Sequence, residues 1–125
     1  MGDTTKVLIV EDDKFLSELI ATKLTKEGFE IEVAGDGEAG LAMISEKKPH
    51  IVLLDIMLPG MSGFEVLEAK NKDEAIKDIP VLILSNFGQE SKVQEGLDLG
   101  AKDYLVKANF TTGEIVDKIK ATLGL

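Results

Sequence analysis

Apolar and polar positions follow two rhythms along this chain: short unbroken apolar runs, and longer stretches at helical spacing. Lys6–Val10 (KVLIV), Ile51–Leu54 (IVLL) and Val81–Leu84 (VLIL) are apolar runs of the kind expected of strands buried on both faces. Ile31 and Val33 alternate with acids, as in a half-buried strand, and Tyr104–Val106 predicts a fifth strand. Between the runs, Phe15, Leu16, Leu19, Ile20 and Leu24 predict a helix that stops at Gly28. Asp36 can cap a second helix carrying Ala39, Leu41, Ala42 and Ile44, which must end before Pro49. Phe64–Lys72 predicts a third helix, and Val93, Leu97 and Leu99 a weaker fourth stopped at Gly100. Thr111 and Glu114 fit a capping box opening a fifth helix, with Ile115, Val116, Ile119 and Leu123 on its apolar side.

Alternating strands and helices with short connections predict an α/β fold: a parallel five-stranded sheet with helices on both faces. No internal repeat, low-complexity tract or linker breaks the pattern, so residues 1–125 are expected to form a single domain. Periodicity leaves the strand order open. By fold analogy, a flavodoxin-like doubly wound (βα)5 sheet in the order 2-1-3-4-5 is expected, with sites beyond the carboxyl ends of the strands.

Composition narrows the chemistry. An apolar fraction of 44% suits a globular core, and no apolar run approaches the roughly 20 residues of a membrane span. The opening residues MGDTTK are polar and do not read as a secretion signal. The chain has no cysteine, which excludes disulfides, thiolate metal sites and thiol catalysis and fits a cytoplasmic location. Its net charge is −9, and all 14 basic residues are lysine. Such a surface is a poor match for nucleic acid, and arginine's planar phosphate fork is missing. Any phosphate chemistry must rest on a metal ion, backbone amides, hydroxyls or lysine.

The strand ends carry the candidates. Strand one ends in Glu11-Asp12-Asp13, strand three in Asp55, strand four in Ser85 and strand five in Lys107. Each has an ordinary reading: acids after a strand often cap the next helix, which suits Asp13, with Asp12 a rival. Ser85 alone reads as a loop serine and Lys107 alone as a solvated lysine. Asp55 sits between Leu53, Leu54, Ile56 and Met57, and a carboxylate buried there needs a partner or a metal. Converging carboxylates are relieved by a hard cation such as Mg2+. A carboxylate beside that cation can act as nucleophile toward a phosphoryl group, with Lys107 and Ser85 serving its oxygens.

Two rivals use other residues. Gly35-Asp36-Gly37-Glu38-Ala39-Gly40 spells G-x-G-x-x-G after a strand, with Asp55 where a ribose-binding acid would sit. Against that dinucleotide reading, Asp36 and Glu38 would place two negative charges beside a pyrophosphate. A Mg2+-dependent phosphatase with an aspartyl nucleophile needs a second acid two residues on, where this chain has Met57. His50, the only histidine, reads as a structural residue at the turn before strand three.

The stretches VLIVEDD (7–13), DGEAGL (36–41), IVLLDIMLPGMSGFEVL (51–67), VLILS (81–85) and GAKDYLVK (100–107) resemble the receiver family of bacterial response regulators. The resemblance runs along nearly the whole chain, and its motifs are in register. It implies phosphorelay signal transduction, with Asp55 taking a phosphoryl group from a phosphohistidine on a sensor histidine kinase or histidine phosphotransfer protein. Glu11 and Asp12, rather than Asp12 and Asp13, map onto the acidic pair that binds Mg2+, and Met57 would add a backbone carbonyl. Ser85 matches the hydroxyl residue that follows the phosphoryl group, and Lys107 the lysine that contacts it. Tyr104 matches the aromatic whose rotamer reports the switch, beside its plain reading as a half-buried tyrosine.

The resemblance further implies a regulator, not a turnover enzyme, that promotes its own phosphorylation and dephosphorylation. Its output face would be helix four, strand five and helix five, meeting a downstream protein or a second copy. Phe87, Tyr104 and Phe110 could anchor that partner, or Phe110 could simply pack the final helix. A degenerate receiver used only for docking is the remaining alternative. The chain departs from the family at Ala108, where proline usually follows the lysine. A non-prolyl cis bond costs about 3–4 kcal/mol, so a trans Lys107–Ala108 bond is expected. The second departure is Phe87, where smaller residues are common. With Met57 it could shield a phosphorylated Asp55 from water and prolong that state.

Overall fold

The structure is a computed structural model that describes residues 4–125. Residues 1–3, part of the polar opening stretch read as no secretion signal, lie outside the described residues. The elements run β1 (Lys6–Val10), α1 (Lys14–Lys26), β2 (Glu30–Ala34), α2 (Gly37–Lys47), β3 (Ile51–Leu54), α3 (Gly63–Asn71), β4 (Val81–Ser85), α4 (Glu90–Asp98), β5 (Asp103–Val106) and α5 (Thr112–Thr122). A single 3-10 turn, Lys107–Asn109, follows β5. β1 and β3 have the bounds their apolar runs predict. β4 extends to Ser85, β5 begins at Asp103, and α3 spans Gly63–Asn71 rather than Phe64–Lys72.

Side-chain caps fix most helix starts. Asp13 Oδ1 accepts from Leu16 N at 3.1 Å, so Asp13 and not Asp12 caps α1. Asp36 Oδ1 accepts from Ala39 N at 2.8 Å at the start of α2. The Thr111–Glu114 capping box is formed, and a second one, Ser62–Glu65, opens α3. Gly28 and Gly100 follow α1 and α4 at φ +94° and +95°, a left-handed conformation that glycine adopts without penalty.

The sheet is parallel throughout, in the order β2-β1-β3-β4-β5. Successive strand residues face opposite sides. Leu8, Val10, Val52, Leu54, Val81 and Ile83 share a core with Ile44 of α2 and Phe64, Val66 and Leu67 of α3, with Val93 of α4 packed against it. Val7, Ile9, Ile51, Leu53, Leu82 and Leu84 face Ile20 and Leu24 of α1 and Ile115, Val116 and Ile119 of α5. Fully burying each such side chain stabilises the fold by about 1.5–3 kcal/mol relative to exposure.

Two helices bury less than their apolar patterns predict. α1 seats Ser17, Ile20 and Leu24 inward, one seam along the helix, which leaves Phe15 and Leu19 exposed. In α4 the only buried residue is Gly96, and Leu97 faces out. A Cβ at position 96 would lie 2.6 Å from Ile83 Cδ1 and 3.1 Å from the Tyr104 ring. The glycine therefore lets α4 approach the sheet closely while contributing no side chain to the core.

Candidate functional site

Register brings the strand ends together. Val10 pairs with Leu54 and Leu54 with Ile83, so the residues that follow Val10 and Leu54, Glu11 and Asp55, leave the sheet side by side. The backbone ladder holds them past the strands: Asp55 N donates to Val10 O at 3.0 Å, and Glu11 N to Ala34 O at 2.9 Å. Ser85 pairs with Val106, which aligns Lys107 beside the end of β4. All four predicted strand ends therefore lie at one edge.

The side chains converge as well. Glu11 and Asp55 are 3% and 4% exposed, whereas Asp12 is exposed to solvent. Each of the three offers a carboxylate oxygen, and these oxygens lie within 4.8 Å of one another. The Lys107 ammonium sits 2.9 Å from Glu11 Oε1 and 3.2 Å from Asp55 Oδ2. Glu11 Oε2 accepts from Asp13 N at 3.0 Å, and Asp55 Oδ1 from Met57 N at 3.3 Å. The buried Glu11 Oε1 has the shared Lys107 ammonium as its one partner.

One ammonium thus serves two buried carboxylates, and a third, Asp12, clusters with them. Burial, reinforced by the Asp55 charge, pushes the Glu11 carboxyl up to about 7, against the opposing pull of Lys107 and the Asp13 amide. Burial works to lower Lys107, but its contacts with Glu11 and Asp55 outweigh that and hold it above the usual lysine range. An oxygen-only donor set and a surplus of negative charge, with one ammonium shared between two buried carboxylates, fit a hard divalent cation such as Mg2+.

Beside the carboxylates, Ser85 is fully buried and its Oγ accepts from Phe87 N at 3.0 Å. Tyr104 is also buried, and its hydroxyl donates to Phe87 O at 2.7 Å. Phe87 is therefore held through its N–H by Ser85 and through its carbonyl by Tyr104, a link the sequence does not reveal. Its ring is half-buried, and the Met57 side chain is 60% exposed. No cis peptide occurs among the described residues, so the Lys107–Ala108 bond is trans as expected.

Two residues fall outside the cluster. Phe110 packs against the α1–α5 core, with Lys118 Nζ 5.9 Å from its ring centre, which favours the packing reading over the anchor. His50 accepts from Lys6 N through Nδ1 at 2.9 Å and returns its own N–H to Lys6 O, joining the starts of β1 and β3. That is the structural role expected of it.

Residues 7–120 match the family model described as the response regulator receiver domain. The chain is 39% identical over 117 residues to the phosphate regulon transcriptional regulatory protein PhoB of Pseudomonas aeruginosa, covering 94% of this chain and 51% of that one. It is 37% identical over 118 residues to the DNA-binding dual master transcriptional regulator RpaA of Synechocystis sp., covering 94% and 48%. The chain therefore spans about half the length of these curated relatives. Among solved structures, it matches a chain of the CheX–CheY–BeF3–Mg2+ complex of Borrelia burgdorferi with a TM-score of 0.86 and 30% identity, covering 95% of this chain and 89% of the other.

Proposed function

The chain belongs to the response regulator receiver domain family, and from that premise we propose that residues 1–125 form one phosphoacceptor domain that relays a signal through Asp55. The observation that carries the reading is Asp55 itself: a buried carboxylate at a strand end, 3.2 Å from the Lys107 ammonium and clustered with Glu11 and Asp12. In the transfer, an Asp55 carboxylate oxygen forms a bond to phosphorus as the phosphorus–nitrogen bond of a phosphohistidine breaks. The leaving imidazole nitrogen keeps the electron pair. Lys107 offsets charge on a phosphoryl oxygen, and the Ser85 hydroxyl turns from Phe87 N to donate to another. Mg2+ held by Glu11, Asp12, Asp55 and the Met57 carbonyl would neutralise phosphoryl charge during transfer. The Borrelia complex, described with BeF3 and Mg2+, supports that choice of cation.

The phosphoryl donor is a sensor histidine kinase or histidine phosphotransfer protein, met in the cytoplasm. When Ser85 moves, Phe87 loses the acceptor of its amide, and the change passes to the segment before α4 and to Tyr104. The α4–β5–α5 face then alters its fit to a downstream protein or a second copy. The relatives' names speak of transcription and DNA, but this acidic, arginine-free segment is a poor surface for nucleic acid itself.

Intact mass after incubation with acetyl phosphate and MgCl2 tests the reading. One added phosphoryl group is expected on the wild type and none on Asp55→Asn; equal labelling of both would overturn it. Following the mass after acetyl phosphate is removed tests Phe87 as a shield, with a shorter lifetime expected for Phe87→Ala.

A further inference from the structure

The G-x-G-x-x-G stretch, Gly35–Gly40, is not used by the chemistry above, yet two of its glycines touch the segments that carry the site. A Cβ on Gly37 would run into the backbone carbonyl of Met61, in the loop between Asp55 and α3. A Cβ on Gly40 would lie 2.7 Å from Cγ1 of Val10, the residue before Glu11. Glu38 supports the same contact: its Oε1 accepts from Met61 N at 3.4 Å and lies against Gly60, which turns the loop at φ +73°. The loop closes at its far end where Gly63 N donates to Ile56 O at 2.8 Å, and a Cβ on Gly63 would meet the Asp55 carbonyl. Gly35, the first glycine of the motif, has open space around it and no left-handed φ.

We propose that the first turn of α2, through Gly37, Gly40 and Glu38, positions the carboxylate site by setting the Asp55–Met61 loop against the Glu11–Asp12 strand end. The proposal rests on the phosphoacceptor reading and adds residues that touch neither the cation nor the phosphoryl group. The physical reason is close packing. A helix backbone held against a loop carbonyl leaves no room for a methyl group, so the loop must shift if one is added. Shifts of about 1 Å at a reacting centre cost on the order of 100-fold in rate. Losing a support behind metal ligands typically costs about 10–100-fold in affinity.

The test compares Gly35→Ala, Gly37→Ala, Glu38→Ala and Glu38→Gln with wild type. It reads the MgCl2 concentration for half-maximal phosphorylation by acetyl phosphate, and the amide chemical shifts of Asp55 and Met57 without metal. Expected are an unchanged Gly35→Ala, a rise of about tenfold or more in the Mg2+ requirement for Gly37→Ala, and a smaller rise for Glu38→Ala. Glu38→Gln, which keeps the acceptor oxygen, should restore both readouts. Should Gly37→Ala fail to fold, the surface pair Glu38→Ala and Glu38→Gln decides the matter, through the loss and its rescue. A wild type that takes up phosphoryl while these variants match it overturns the positioning role alone. A wild type that takes up none removes the phosphoacceptor reading and the proposal with it.

Discussion

At the residue scale, local chemistry was legible and long-range contact was not. Asp55 could be singled out because an acid in an apolar run needs a partner, and Asp13 could be offered as a cap from its place after a strand. Lys70 was not foreseen: nothing in the sequence distinguishes it from a solvated lysine, yet it is buried and its ammonium donates to Lys77 O at 2.7 Å. Burial lowers its pKa from 10.5, only partly opposed by Asp78. The unfolded chain therefore binds this proton more tightly than the folded one, and the charge opposes folding at neutral pH. That penalty is relieved as pH rises through the lowered folded value toward 10.5. Urea denaturation of wild type and Lys70→Met should thus show wild type gaining on the variant with rising pH across that window. A difference that stays flat or moves the other way would reject the assignment.

At the scale of elements, the doubly buried strands were the easiest to read, since every residue of β1 beyond Lys6 and all of β3 is buried. Helix faces were harder because an apolar residue can lie beside the buried seam, as Phe15 and Leu19 do on α1. The Ser62–Glu65 box has an S-x-x-E signature, but the apolar pattern marks the helix only from Phe64 onward. α4 is the element least secured by its own sequence. Gln89 stands at its N-cap without a side-chain hydrogen bond, its last turn has no basic residue, and its one buried residue is a glycine. Placing a capping hydroxyl there, Gln89→Ser, should stabilise the helix by about 1 kcal/mol. Slower hydrogen exchange of the Ser91–Val93 amides would register the gain, and unchanged exchange would show that the cap is not what α4 lacks.

At the scale of the whole molecule, strand order came from analogy and is met in full, because right pairing buries both faces of β1, β3 and β4. The chain carries a net charge of −9, and its self-repulsion weakens the folded state in a way that any salt screens. A cation held by Glu11, Asp12 and Asp55, as proposed, would do more, because it would bind the folded state selectively. MgCl2 at about 5 mM should therefore raise Tm beyond NaCl of matched ionic strength, and Asp55→Asn should narrow the gap. Equal shifts with both salts would mean that only screening is at work. The strand-end cluster also imposes a schedule on synthesis. Both buried acids leave the ribosome long before Lys107, the ammonium that offsets them, which reaches them only once β5 has paired with β4 at the sheet edge. A nascent chain thus holds its acids together without their cation, and the proposed phosphoacceptor chemistry is complete only when the last strand is in place.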